Sequence, residues 1–204
     1  VGGAGVGGGR TTVRPYVRGI SVFLFMSNSD YPKRKNMRLM GYDYSQAGAY
    51  FITLCAKDQA LIFGDVVNNE MRLNAIGEIV AEEWTRTGVI RPGVNLLEWV
   101  VMPNHFHAIV MVGPNYRVPH QNITAATQML SRPKRSLGSL VAGFKQATTK
   151  RINELHQVSG CKVWQRNYYD HIIRGDSDYR RIAEYILNNP ARWVVDRFYP
   201  NPKE

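Results

Sequence analysis

The sequence predicts an α+β domain: an antiparallel sheet of about five strands with helices packed on it. Short runs rich in aromatic and β-branched residues, bounded by turn signals, read as strands. Two of them flank Pro103-Asn104 and read as one antiparallel hairpin. Three further stretches carry apolar residues at helical spacing.

Taken in order, Ala49 to Cys55 (AYFITLC) reads as a strand preceded by a turn at Ser45 to Gly48. A shorter strand is expected at Leu61 to Val66, with Glu70 to Leu73 able to pair with it. Asn74 caps a helix whose Ile76, Ile79, Val80 and Trp84 share a face, ending near Gly88. Val94 to Val101 and His105 to Val112 form the hairpin, and the second arm is apolar on both faces from Ala108, as suits a covered central strand. Residues 113–136 read as a long loop of the kind that is functional or mobile. A helix then runs from Leu137 to about Gln157, on Leu140, Val141, Phe144 and Ile152. Val163 to Gln165 and Tyr168 to Arg174 read as short extended segments, and Asp176 or Ser177 caps a last helix, Asp178 to Asn188, stopped by Pro190. Residues 1–36, glycine-rich and then basic, are expected to be a disordered tail; 37–193 form the folded domain and 194–204 a C-terminal tail.

The formal net charge of +10 favours a polyanionic partner, nucleic acid first. Cys55 and Cys161 are the only cysteines and form no CxxC, so a reducing cytoplasm and thiol-independent chemistry are expected. No apolar run reaches the roughly 18 residues of a bilayer span. Residues 19–26 imitate a short signal peptide without a clean cleavage site, and Met26 is a candidate natural start. No glycine-rich nucleotide-binding fingerprint follows a strand, so no nucleotide cofactor is expected.

His105 and His107 stand two apart on a strand, so both project to one face while Phe106 goes to the other. Two adjacent imidazoles can converge on a divalent cation; two polar residues ending a strand and bonding to loops are the plain alternative. On the last helix Tyr185 and Asn189 are one turn apart, beside the apolar Ile182 and Ile186. By spacing alone, Tyr185 fits a core tyrosine with its hydroxyl at the rim, the more common fate of a helical tyrosine, better than a cleft residue.

Three separated motifs then fall in order: Met102-Pro103-Asn104-His105-Phe106-His107, Trp164 to Arg174 (WQRNYYDHIIR), and Tyr179 to Pro190 (YRRIAEYILNNP). Together with Gly41 to Ser45 and Leu137-Gly138-Ser139, they resemble the single-tyrosine HUH transposases, in the branch of the REP-associated tyrosine transposases. The resemblance runs from about Arg38 to Trp193.

It implies a ferredoxin-like arrangement of the sheet and metal-dependent cleavage and rejoining of single-stranded hairpin DNA through a 5′-phosphotyrosine. His105 and His107 match the ligands of a Mg²⁺ or Mn²⁺ ion, Tyr185 the nucleophile, and Asn189 the place of a third polar ligand. Lys145, Lys150, Arg151, Arg174, Arg180 and Arg181 are candidate DNA contacts, with Trp164, Tyr168 or Tyr169 as stacking platforms, although Trp164 fits the core at least as well. A monomer in the cytoplasm, associated with the nucleoid, is the expectation, with a homodimer that exchanges the Tyr185 helix as the alternative. The competing reading is a domesticated protein that binds hairpins without cutting them, against which the intact His105, His107 and Tyr185 argue.

Overall fold

Both histidines lie on an interior strand. The computed structural model describes residues 47–113 and 136–200, all within one compact unit, Met37–Glu204. The N-terminal tail, Gly41 to Ser45, nearly all of the 113–136 loop and residues 201–204 lie outside the described residues. The elements are β1 (Gly48–Cys55), β2 (Gly64–Val67), β3 (Glu70–Leu73), α1 (Ala75–Ile90), β4 (Val94–Met102), β5 (His105–Val112), α2 (Leu137–Leu155), β6 (Tyr169–Ile173) and α3 (Asp176–Leu187). One-turn 3-10 helices occupy Lys57–Gln59 and, slightly longer, Pro190–Val195.

The main sheet has the order β4-β5-β1-β6, with every neighbouring pair antiparallel. With β2 and β3 set aside, the chain reads β-α-β-β-α-β, the ferredoxin-like arrangement. The expected strands are divided between two sheets. β2 and β3 pair with each other as a separate ribbon, leaving four strands in the main one. That ribbon turns at Asn68 and Asn69, both at positive φ (53° and 64°), the conformation a tight two-residue hairpin turn demands and asparagine tolerates.

Register decides what each face carries. Phe51 pairs with Ile109, Ile52 with Ala108 and Thr53 with His107, so like parities of β1 and β5 share a face. On one face Tyr50, Ile52, Leu54, Phe106, Ala108 and Val110 pack under α1 and α2. Trp84 of α1 and Phe144 of α2 meet Phe106 with ring centroids 5.0 and 5.5 Å away. The other face carries Ala49, Phe51, Ile109 and Met111 under Ile182, Ala183 and Ile186 of α3. Thr53, His105 and His107 extend this second face toward the end of β1, beyond the apolar cluster.

The helix caps show where local chemistry sets the boundaries. The Asn74 side chain accepts from the backbone N–H of Ile76 and Gly77, and that of Ser136 accepts from Ser139. α3 starts two residues before the expected Asp178. Its N-cap is Gly175 at φ 94°, a left-handed turn open to glycine, which sends the chain from β6 directly back across the sheet. Trp164 is buried against Phe63 and Phe144 with its indole N–H donated to Thr148, so it is a core residue and no stacking platform.

Because Phe106 is fully buried on the face opposite the histidines, Phe106→Ala is expected to cost about 3–5 kcal/mol in urea-unfolding stability. A loss under 1 kcal/mol would show that this face does not carry the core.

Candidate metal centre and tyrosine

The residues of β5 that face α3 at its entry are His105 and His107, both fully buried, with ring centroids 4.5 Å apart. Each ring is held from behind. His107 Nδ1 lies 2.8 Å from Thr53 Oγ1, across the β1–β5 pair. His105 Nδ1 lies 2.8 Å from Asn104 Oδ1, while the amide nitrogen of Asn104 donates to the carbonyls of Gln59 (3.3 Å) and Phe198 (2.8 Å). With its NH₂ group committed to two carbonyls, Asn104 offers His105 an acceptor, so Nδ1 carries the proton and Nε2 is left with a free lone pair. Such backing contacts are what orient imidazoles that bind metal.

α3 lies over this pair. Tyr185 Oη stands 3.1 Å from His107 Nε2 and 3.3 Å from Asp196 Oδ2. Asn189 keeps helical backbone angles just past α3, so it follows Tyr185 by one turn; it is 1% exposed, and its Nδ2 donates to Asp196 Oδ2 at 3.1 Å. Asp196 is fixed in turn, its Oδ1 accepting the backbone N–H of Phe198 at 2.7 Å. His105, His107 and Asp196 each offer a ligand atom within 4.8 Å of the others, a cluster able to coordinate a metal ion. Among the described residues, His105 Nε2 and Asn189 Oδ1 are buried acceptors with no hydrogen-bond partner. Two lone pairs stranded beside a carboxylate fit a cation, because an unpaired buried acceptor otherwise costs about 1–3 kcal/mol.

Electrostatics suit the same use. Burial lowers the His105 pKa to about 4 against the opposing pull of Asp196, and burial, then His105, holds His107 well below 6.5. Both imidazoles are therefore neutral ligands at neutral pH. Burial and the Asp196 carboxylate push Tyr185 up to about 12, so its phenol keeps its proton in the absence of a cation.

The chain around Asp196 is the part the sequence did not disclose. Asp196 lies within residues 194–204, the stretch expected as a tail, yet residues 190–199 return over β5. Trp193 and Phe198 place their rings 5.9 and 4.5 Å from that of His105. No periodicity links Asp196 to Tyr185, because the 3-10 helix at Pro190–Val195 separates them. Thr53 was visible only as a strand residue, and its role comes from register.

The candidate DNA contacts fall elsewhere. Lys145 donates to the carbonyls of Gln165 (2.9 Å) and Asn167 (3.0 Å), and burial lowers its pKa to about 8. Lys145 and Lys150 line an open cleft of about 440 Å³ together with Lys162, Gln165 and Arg166. Arg151 joins α2 to α1 through Glu82 (2.6 Å) and Glu83 (2.9 Å). Arg181 pairs with Asp178 at 2.6 Å, and Arg174 and Arg180 are exposed near the start of α3. None of the six is in the histidine cluster. Tyr179 is also separate, its hydroxyl spent on both carboxylate oxygens of Glu98 (2.8 and 2.9 Å).

No protein-family model matches the chain. A Haemophilus influenzae protein named only as uncharacterized is 37% identical over 177 residues, covering 84% of this chain and 96% of the relative. A second H. influenzae protein, described provisionally as a REP-associated tyrosine transposase, is 23% identical over 150 residues, 74% of each chain. The chain belongs to the first protein's family and, distantly, to the HUH/REP-associated tyrosine transposase-like superfamily. Among solved structures, a REP-associated tyrosine transposase bound to a REP hairpin has a TM-score of 0.45 at 17% identity, covering 72% of this chain and 68% of that one. A protein from Deinococcus radiodurans R1, described provisionally as a transposase, has a TM-score of 0.38 at 16% identity, covering 74% and 95%. For a superfamily member of this kind, the centre combines a metal-binding cluster with an adjacent phenol in one chain. Among the described residues no helix is long and apolar enough to cross a membrane.

The lowered histidine pKa values set a pH dependence. The unfolded chain protonates these imidazoles below about 6.5 while the folded one resists until about 4 for His105, so unfolding takes up protons in that window. In metal-free buffer, stability is expected to be flat above pH 6.5 and to fall as pH drops toward 4, by up to about 1.4 kcal/mol per pH unit for each imidazole. Urea melts of the chain and of His105→Gln check this: the variant's profile should be flatter, and parallel profiles would contradict the assignment.

Proposed function

We propose that the chain is a divalent-metal-dependent endonuclease and strand transferase for single-stranded DNA. It acts as a transposase on palindromic hairpins of the REP kind, through a 5′-phosphotyrosine at Tyr185. The observation that carries this reading is the position of Tyr185 Oη, 3.1 Å from His107 Nε2 and 3.3 Å from Asp196 Oδ2 at the edge of the metal-binding cluster. A core tyrosine would have no reason to end there. The superfamily's second H. influenzae member carries the same class of name.

His105, His107 and Asp196, with Asn189 Oδ1, would hold the ion. When bound, a divalent cation there would supply positive charge to offset that of a phosphodiester's non-bridging oxygens and would ease loss of the phenol proton. Two imidazole nitrogens with carboxylate and amide oxygens make a donor set suited to Mn²⁺ as well as to Mg²⁺. Thr53 and Asn104 keep the imidazoles aimed, and Phe198 and Trp193 exclude water from one side. Asp196 Oδ2, already the acceptor of the Tyr185 hydroxyl, takes the proton as the phenol oxygen attacks phosphorus and the P–O3′ bond breaks. One phosphodiester replaces another, so the strand is rejoined by reversal without ATP. α3 supplies Tyr185 to the histidines of its own chain, consistent with a monomer. Lys145 and Lys150 with their cleft, and Arg151, Arg174, Arg180 and Arg181, are the proposed phosphate contacts, giving binding that weakens steeply with salt.

Incubation with a pool of labelled single-stranded hairpin oligonucleotides and Mn²⁺ is expected to yield a denaturation-resistant DNA–protein adduct. Tyr185→Phe should abolish it and leave hairpin binding nearly unchanged. Adduct from Tyr185→Phe would move the nucleophile elsewhere. Hairpin binding with no adduct from the unaltered chain would favour the non-cleaving binder.

A further inference from the structure

We propose that Arg197 is a catalytic residue that takes up the negative charge of the scissile phosphate, an assignment that rests on the strand-transfer reading of the same site. Its guanidinium carbon lies 4.5 Å from the centroid of the Phe198 ring, which in turn lies 4.5 Å from the His105 ring. On its other side is the Tyr169 ring, at 5.9 Å. Phe198 is the neighbour of both imidazoles, and Tyr169 is joined to Tyr185 through Phe51, which packs edge-on against each at 6.1 Å. The cation thus stands one ring away from the cluster, at its rim.

The backbone that carries Arg197 is pinned. Asp196 N–H donates to the Trp193 carbonyl (3.0 Å), Tyr199 N–H to the Asp196 carbonyl (2.9 Å), and Phe198 N–H to the Asp196 side chain (2.7 Å). The residue beside Asp196 therefore cannot wander far from the residue that touches Tyr185. Its side chain is exposed, and among the described residues it has no carboxylate partner at ion-pair distance. Its positive charge reaches the site, opposing in part the rise that burial and Asp196 impose on the Tyr185 phenol. A cation held over two aromatic rings, with no ion-pair partner among the described residues, is placed for an incoming anion.

The chemistry needs such a group. As the Tyr185 Oη–P bond forms and before the P–O3′ bond breaks, the phosphorus centre carries one more negative charge on its non-bridging oxygens than the diester does. The phenol proton passes to Asp196 Oδ2, and the departing 3′ oxygen takes a proton from solvent. The planar guanidinium can donate two parallel N–H bonds to those oxygens from the open side of the site. A lysine would supply charge without that fork.

The test uses an adduct-forming oligonucleotide recovered from the hairpin pool, made with either a phosphodiester or an uncharged methylphosphonate at the cleaved linkage. Adduct formation is followed in single turnover at saturating DNA for the unaltered chain, Arg197→Ala and Arg197→Lys. On the phosphodiester, Arg197→Ala is expected to slow adduct formation by about 100-fold, with Arg197→Lys intermediate and DNA affinity by anisotropy nearly unchanged. On the methylphosphonate, which starts neutral and whose five-coordinate centre carries one negative charge in place of two, the loss should shrink to a few fold. Equal losses on the two substrates, or an undiminished rate on the phosphodiester, would overturn the Arg197 assignment while leaving Tyr185 chemistry intact. Failure of the unaltered chain to form any adduct, though it binds the pool, would overturn both.

Discussion

The pleat of β5 is the constraint from which the rest follows. A strand must send alternate side chains to opposite faces, so His105-Phe106-His107 has to put one ring into a core and two on the other side. Burying Phe106 among Trp84, Trp99 and Phe144 fixes the rotation of the strand about its axis. The two imidazoles are then aimed as a consequence of apolar packing on the far face. A one-residue slip of register would exchange the faces and bury two polar rings under α1 and α2 without partners. The catalytic proposal and the stability of the domain thus draw on a single choice of register.

Around that pair the chain places polar groups in a dry setting and leaves some unfinished. Thr53 and Asn104 occupy one nitrogen of each imidazole, while on the open side His105 Nε2 and Asn189 Oδ1 face the Asp196 carboxylate without donors. Buried groups without partners weaken a fold, and their grouping at one point beside the Tyr185 hydroxyl gives the site a physical reason for an ion. Burial also keeps the imidazoles neutral, as metal ligands must be, and holds the proton on the Tyr185 phenol. The segment after α3 completes the arrangement by bringing Asp196, Arg197 and Phe198 back over β5.

How much of this could be read in the sequence depended on the range of the interaction. The hairpin at Pro103-Asn104, the shared face of the histidines and the cap at Asn74 are local, and the chain spells them out within a few residues. The four-residue step from Tyr185 to Asn189 was equally legible. What stayed hidden was set by long-range pairing: Thr53 behind His107 depends on the β1–β5 register, and Asp196 depends on a return of the chain after Pro190 that no repeat announces. The division of the six strands among the described residues into a sheet of four and a ribbon of two likewise belongs to topology, since Leu61 to Leu73 has strand composition wherever it pairs. Trp164 shows the same limit. It fitted the core and a stacking surface alike in the sequence, and the partners that bury it, Phe63 and Phe144, are far away along the chain.

The account's central claim is that His105 and His107, presented by one strand face, are the nitrogen ligands of a divalent ion. Pulsed electron paramagnetic resonance of the Mn²⁺-loaded chain reads that contact directly, through the coupling of the electron spin to imidazole nitrogen. Coupling to two imidazoles, reduced to one in His105→Ala and in His107→Ala, is the result the account predicts. A spectrum with no nitrogen coupling at saturating Mn²⁺, unchanged by either substitution, would contradict it.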